Sequence, residues 1–99
     1  MAGNKDIIIP VKFGTWSIWY SIQSYIGKHK YTVSYDFRDS AMEMPFEVQI
    51  KYMDGAKTSV VTTLGPGSHI VEGDGAGSDY IRLRSLSFGF GSVAVTVPN

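Results

Sequence analysis

The sequence predicts an all-β domain, a single antiparallel β-sandwich of about eight strands. Three observations lead to this fold class. Apolar and polar residues alternate with a period of two along much of the chain. Clusters of glycine, proline and aspartate separate the alternating segments. No segment has a helical period long enough for a crossover helix, so the strands are expected to run antiparallel.

The clearest alternation lies in the segments 31–38 and 46–52, where every second residue is apolar or aromatic. This pattern is typical of a strand with one buried face. Weaker alternation predicts the remaining strands. In chain order, the predicted strands cover residues 7–13, 16–22, 31–38, 46–52, 58–64, 68–72, 79–86 and 93–97.

Alternation also predicts which side chains point inward. The residues expected to form the core are Val33, Tyr35, Phe37, Val48, Ile50, Ile81, Leu83, Val93 and Val95. The same rule places further aromatic and aliphatic side chains inside, namely Trp16, Ile18, Tyr20, Ile22, Tyr31, Phe46 and Tyr52.

The segments between the predicted strands carry turn signals. Asp54-Gly55 predicts a hairpin, and Gly65–Gly67 predicts a turn. The segment Gly27–Lys30 is interpreted as a turn after the second strand, and Gly73–Ser78 as a longer, flexible loop. A single helical turn fits only between Asp39 and Met44, where Pro45 would end it.

The amino-acid composition limits the functions that the protein can have. The 99 residues are expected to form one domain, 1–99. Nine basic and nine acidic residues give no net charge, which argues against nucleic-acid binding. The absence of cysteine excludes disulfides and thiolate metal sites. The polar N-terminal segment and the lack of a long apolar run predict no signal peptide and no membrane contact, hence a protein of the cytoplasm or of a virion.

Motifs for catalysis are absent from the sequence. It contains no Gly-x-Ser-x-Gly elbow, and His29 and His69 each lie beside a predicted turn. We therefore expect no catalytic residue and no cofactor. Glu72, Asp74 and Asp79 are weak candidates for calcium ligands, although their spacing matches no EF-hand and the fold is not expected to need calcium.

Aromatic and arginine side chains are the best candidates for binding. Trp19 falls on the face opposite the apolar one, so its own fold, a neighbouring subunit or a sugar ring should cover it. Tyr25 and Phe90 fall at strand ends or in turns. Arg82 and Arg84 share a strand face with Tyr80, where they could bind carboxylates or pair across strands with Glu47 or Asp36.

The segment Gly27–Arg38 is similar to a strand of the order Gly-x-Tyr-Thr-x-Ser-x-Asp-x-Arg, and the later segments Asp54-Gly55, Tyr80–Leu83 and Gly91–Val95 follow it. This order resembles jelly-roll carbohydrate-binding modules and small virion accessory domains of tailed phages. Gly91-Ser92 stands where those modules carry a closing aspartate, which puts their structural calcium site in doubt.

Two functions fit these expectations. The first is a non-enzymatic structural or adhesive protein of a larger assembly, such as a phage capsid decoration or fibre domain, with self-association or a larger protein assembly as its partner. The second is a carbohydrate-binding module that uses exposed aromatic side chains to bind a glycan.

Overall fold

The chain forms one antiparallel sheet in the computed structural model, which describes residues 3–38, 44–55, 57–88 and 90–98. The strands are β1 (Asn4–Lys12), β2 (Tyr20–Phe37), β3 (Phe46–Asp54), β4 (Lys57–Gly65), β5 (Gly67–Ser85) and β6 (Phe90–Pro98). Their order in the sheet is β1-β6-β2-β5-β3-β4. The all-β, antiparallel prediction is confirmed. Among the described residues, no helix is long and apolar enough to cross a membrane.

Two long strands explain why the described sheet has six strands where about eight were predicted. β2 merges the predicted strands 16–22 and 31–38, and β5 merges 68–72 and 79–86. The intervening segments, predicted as a turn and a flexible loop, instead pair with each other, with Gly27 opposite Gly75 and Lys28 opposite Asp74. Both of those loop predictions are therefore wrong.

The glycines of β5 serve close packing rather than a loop. A Cβ at Gly73 would collide with the carbonyl oxygen of Met53, and one at Gly75 would lie 2.9 Å from the carbonyl oxygen of Gly55. The tip of the β3–β4 hairpin thus lies directly on the middle of β5. Glycine within a strand is typical of such a close backbone approach.

The core lies where the sheet bends over itself. Phe46 of β3 packs edge-on against Tyr35 and Phe37 of β2, with ring centroids 6.4 and 5.4 Å apart. The Tyr35 hydroxyl is 2.7 Å from the Thr63 hydroxyl of β4, so β4 also faces β2. All nine residues expected to form the core are buried except Phe37, which is half-buried. Of the further side chains that alternation places inside, Ile22, Tyr31 and Phe46 are buried, whereas Tyr20 and Tyr52 are half-buried.

The segment before β2 departs from the prediction. β2 begins at Tyr20 rather than near residue 16, and Ile18, predicted to be buried, is 74% exposed. Here Ser17 satisfies the backbone groups of Leu83 that a neighbouring strand would otherwise bond. Its N–H donates to the Leu83 carbonyl at 2.8 Å, and its hydroxyl accepts from the Leu83 N–H at 3.1 Å. Alternation resumes with Ile22, which is fully buried.

The short turns match the prediction. Asp54 pairs with Lys57 across the β3–β4 hairpin, and Gly55 has a positive φ of 65°, which suits glycine. Gly65–Gly67 joins β4 to β5. The predicted helical turn at Asp39–Met44 lies almost entirely outside the described residues.

Candidate functional site

The outer face of β5 carries the two arginines singled out from the sequence. Ile81, Leu83 and Ser85 are buried, so the alternate side chains of Tyr80, Arg82 and Arg84 point outward. β3 runs beside this stretch and sets its partners opposite them: Lys51 faces Tyr80, Gln49 faces Arg82, and Glu47 faces Arg84. The register of β3 on β5 therefore determines which groups contact the arginines.

Two of these cross-strand pairs are hydrogen-bonded. Arg84 contacts the Glu47 carboxylate through Nη2 at 2.9 Å and through Nε at 3.0 Å. Arg82 Nε donates to Gln49 Oε1 at 2.7 Å. The sequence offered Glu47 and Asp36 as partners for the arginines, and Glu47 is the one that pairs with Arg84. Because Arg82 pairs with a neutral amide, its charge is not compensated by that partner.

Two indole rings lie between these cations. The Arg82 guanidinium carbon is 4.6 Å from the Trp16 ring centre and 4.5 Å from that of Trp19. Arg84 lies 4.4 Å from Trp16. Lys51 Nζ lies 4.5 Å from Trp19 and 5.0 Å from Tyr80. Each distance is within the range of a cation–π contact, which contributes about 0.5–1 kcal/mol at an exposed site.

These contacts form a continuous row in which cations and rings alternate. In order, the row consists of Arg84, Trp16, Arg82, Trp19, Lys51 and Tyr80. We call this set the aromatic–cationic face. All of its members are half-buried, so each ring keeps part of its surface open to solvent. The row contains three cations, and within the described part of the chain only the Glu47 carboxylate pairs with one of them, so the described row carries net positive charge.

The two hydrogen bonds between Ser17 and the Leu83 backbone explain why both indoles reach this face. Ser17 holds the irregular segment beside Leu83, and the segment does not follow strand alternation there. Trp16 was predicted to be in the core; that prediction is wrong, because the ring packs between Arg82 and Arg84. Trp19 lies opposite the core, as predicted, and Lys51 and Arg82 cover part of it.

The other predicted binding residues lie elsewhere. Tyr25 stacks on His29 with ring centroids 4.6 Å apart and packs against the core. Phe90 begins β6 opposite Lys12, and its side chain is outside the described part of the structure. Tyr25 therefore does not join the aromatic–cationic face.

The candidate calcium ligands are not brought together. Glu72 and Asp74 are exposed and lie opposite Lys30 and Lys28, whereas Asp79 is buried. Within the described ranges, no group of three or more histidine, aspartate or glutamate side chains could hold a metal ion.

Asp79 instead belongs to a buried polar cluster that sequence reasoning missed. The Tyr31 hydroxyl donates to Asp79 Oδ2 at 2.7 Å, and His29 Nε2 lies 3.4 Å from the same oxygen. His29 Nδ1 donates to the Gly27 carbonyl at 3.0 Å, because a carbonyl oxygen can only accept. Burial, and then the bond to Asp79, raises the pKa of Tyr31 well above its usual range. We call His29, Tyr31 and Asp79 the buried polar cluster.

A groove of about 800 Å³ lies between the β3–β4 hairpin and the β2–β5 pair. Its charged lining contains both signs, with two lysines and three carboxylates. Tyr52, His69 and Ile70 add ring and apolar surface. The charged residues are Lys28, Lys30, Asp54, Glu72 and Asp74.

Comparison with protein-family models, with curated proteins and with solved structures found no match. The resemblance to jelly-roll modules therefore stays a prediction.

Proposed function

We propose that the protein is a non-enzymatic structural or adhesive domain of a larger assembly, and that the aromatic–cationic face contacts its partner. The observation that carries this proposal is the alternating row of rings and cations across β3, β5 and the segment before β2. Tryptophan, tyrosine and arginine are the side chains most enriched at energetic hot spots of interfaces.

Preorganisation supports the proposal. Each long side chain that is immobilised on binding costs about 0.5–1.5 kcal/mol. Here Arg82 is held by Gln49 and two indoles, and Arg84 by Glu47 and Trp16, before any partner arrives. Part of that entropic cost is therefore already met in the free protein.

The charge of the face indicates what kind of partner it fits. Lys51 and Arg82 lie beside Trp19, and among the described residues neither forms an ion pair with a carboxylate. A partner with acidic side chains would complement this charge, and carboxylates would suit the guanidinium geometry. We therefore propose an acidic protein surface as the partner.

The non-enzymatic part of the proposal has separate support. The cluster of His29, Tyr31 and Asp79 has residue types that catalysis uses, but the His29 and Asp79 side chains are only 3% and 2% exposed. His29 borders the groove, but a substrate there would contact little of either side chain. The finer interpretation, in which the bent sheet acts as a jelly-roll-like sandwich within a virion or a comparable assembly, is part of this proposal.

A glycan is the second candidate, and the specific observation for it is the pair of partly open indoles, since flat rings stack on sugars. In this version Trp16 and Trp19 form the platform. Lys51 and Arg82 would then donate hydrogen bonds to sugar hydroxyls instead of pairing with carboxylates.

The test is a binding titration with three probes: poly-L-glutamate, a sulfated polysaccharide and neutral oligosaccharides. Tryptophan fluorescence reports the binding. We expect binding to poly-L-glutamate, and Trp19→Ala should weaken it at least about 30-fold, as for a hot-spot residue. Ile18→Ala is the matched control, because Ile18 is exposed and lies outside the row.

The outcomes separate the candidates. Binding to neutral oligosaccharides without binding to poly-L-glutamate would favour the glycan candidate. Binding to none of the probes would contradict the acidic partner. Lost thermal stability with unchanged binding in Trp19→Ala would show that Trp19 serves the fold.

A further inference from the structure

The strand β4 lies at one end of the sheet and pairs with β3 alone among the described strands. Its register with β3 is continuous over all nine residues from Lys57 to Gly65, without a bulge. The outer edge of β4 therefore presents a row of backbone N–H and C=O groups. Such an edge is a template for a further strand.

The side chains of β4 do nothing to block that edge. From Thr58 to Leu64 the strand contains no charge and no proline. On its outer face, Val60 is 51% exposed and Leu64 is 67% exposed. Natural edge strands are usually protected by lysine, proline or bulges, and the interior of β4 has none of these.

We propose that the edge of β4 pairs with β4 of a second copy of this chain, antiparallel, about a two-fold axis at Val61. With the axis there, all nine residues of the strand overlap. Val60 lies opposite Thr62 of the second copy, and Thr58 lies opposite Leu64 of the second copy.

We assign the added strand to a second copy of the chain because two β4 strands fit each other in this register. Residues directly opposite each other share a face of the sheet, so the exposed Val60 and Leu64 stay on one face and the inward Val61 and Thr63 on the other. No like charges meet. A two-fold axis also makes the contact isologous and closed.

The opposite end of the sheet explains why association should stop at two chains. β1 contains Lys5, Asp6, Pro10 and Lys12. Charges and proline on an edge disfavour further pairing. This inference goes beyond the proposed function, because it uses a different surface and holds whether or not the aromatic–cationic face binds an acidic partner.

The experiment is sedimentation velocity over a range of concentrations with charge-swap variants. The wild type should form a species of twice the 10.9 kDa mass of one chain. V60E/T62E should weaken the dimer at least about tenfold, because two pairs of like charges would meet across the axis. In the monomer, the new carboxylate at position 60 would lie opposite Lys51, so folding should be retained.

A mixture of V60E/T62E with V60K/T62K should restore the dimer, because each carboxylate would then meet an ammonium group across the axis. Circular dichroism melting confirms that both variants fold. Ile8→Glu on β1 is the matched control, since Ile8 is an exposed apolar residue of the other edge strand; it should leave the dimer intact. Trp19→Ala should also leave it intact, which separates this inference from the proposed function.

Three results would overturn the inference. The first is a wild type that stays monomeric at millimolar concentration. The second is a folded mixture of the two charge variants that does not associate. The third is a dimer that Ile8→Glu disrupts as strongly as V60E/T62E does.

Discussion

The buried polar cluster and the aromatic–cationic face use the same chemistry at two places on β5. Each combines aromatic rings with charged groups. The Asp79 cluster is enclosed beneath the β3–β4 hairpin, whereas Arg82 and Arg84 and their indoles lie on the outer face. In the buried cluster each polar group depends on its few protein partners. On the outer face, water can replace any contact that is lost.

This difference predicts which variants should change stability and which should change binding. Changes in the buried cluster should lower the free energy of unfolding, because a buried polar group without a partner is costly. Changes in the aromatic–cationic face should leave the fold largely unaffected and alter binding instead.

Asp79→Ala should have the largest effect. It removes the acceptor of the Tyr31 hydroxyl and leaves the buried His29 ring without its carboxylate. Leaving the buried Tyr31 hydroxyl without an acceptor costs about 1–3 kcal/mol, and the cavity that the lost carboxylate leaves adds to this cost. Urea unfolding followed by circular dichroism measures this loss. Asp74→Ala is the control, because Asp74 is exposed on the same strand and should change stability by less than about 0.5 kcal/mol. Equal effects of the two substitutions would contradict the comparison.

Tyr31→Phe should cost about 1–3 kcal/mol, since Asp79 loses its hydroxyl donor. It should also change the response to alkali. Burial raises the pKa of Tyr31 in the folded state, so its stabilising contribution is complete below its unfolded pKa of about 10 and is lost as the pH rises further. The wild type should lose stability above about pH 10 more steeply than Tyr31→Phe. Equal slopes of unfolding free energy against pH would contradict this account.

Trp16→Ala should cost about 1–2 kcal/mol, a smaller loss, because its indole is half-buried and contacts Arg82 and Arg84 at the surface. Thermal unfolding measures the change. A loss as large as that of Asp79→Ala would mean that Trp16 supports the core after all.

Glu47→Gln should have the smallest effect on folding. The Arg84–Glu47 pair is partly open to solvent, and such pairs contribute less than about 1 kcal/mol. The substitution also increases the positive charge of the face. Binding to poly-L-glutamate should therefore strengthen at low salt, and this gain should disappear at high salt. Weaker binding would contradict the proposed acidic partner.

The two sides of β5 also differ in how well the sequence predicts them. The inward positions Ile81 and Leu83 follow from alternation alone, and so does the outward direction of Arg82 and Arg84. The identity of their neighbours does not follow. Gln49, Glu47 and Lys51 reach the arginines through the register of β3, which is a long-range pairing.

The glycine-rich segments show the limit most clearly. By local rules Gly73–Ser78 is a loop, and in the structure it lies in the middle of β5. Its conformation depends on Gly27–Lys30 of β2 and on the backbone of the β3–β4 hairpin that packs onto Gly73. Residues distant in the sequence therefore decide whether the segment is a strand.

From the sequence alone, the all-β antiparallel class, the inward faces of most strands and the short turns could be determined, because the pleat of a strand and the dihedral angles of a turn are local properties. Three features emerge from the fold instead: two predicted breaks are strand, Trp16 joins Trp19 on the outer face, and His29 and Asp79 meet in the interior. Each of these depends on a contact between segments far apart in the chain. Ser17 with Leu83, Gly73 with Met53, and Tyr31 with Asp79 are the contacts concerned.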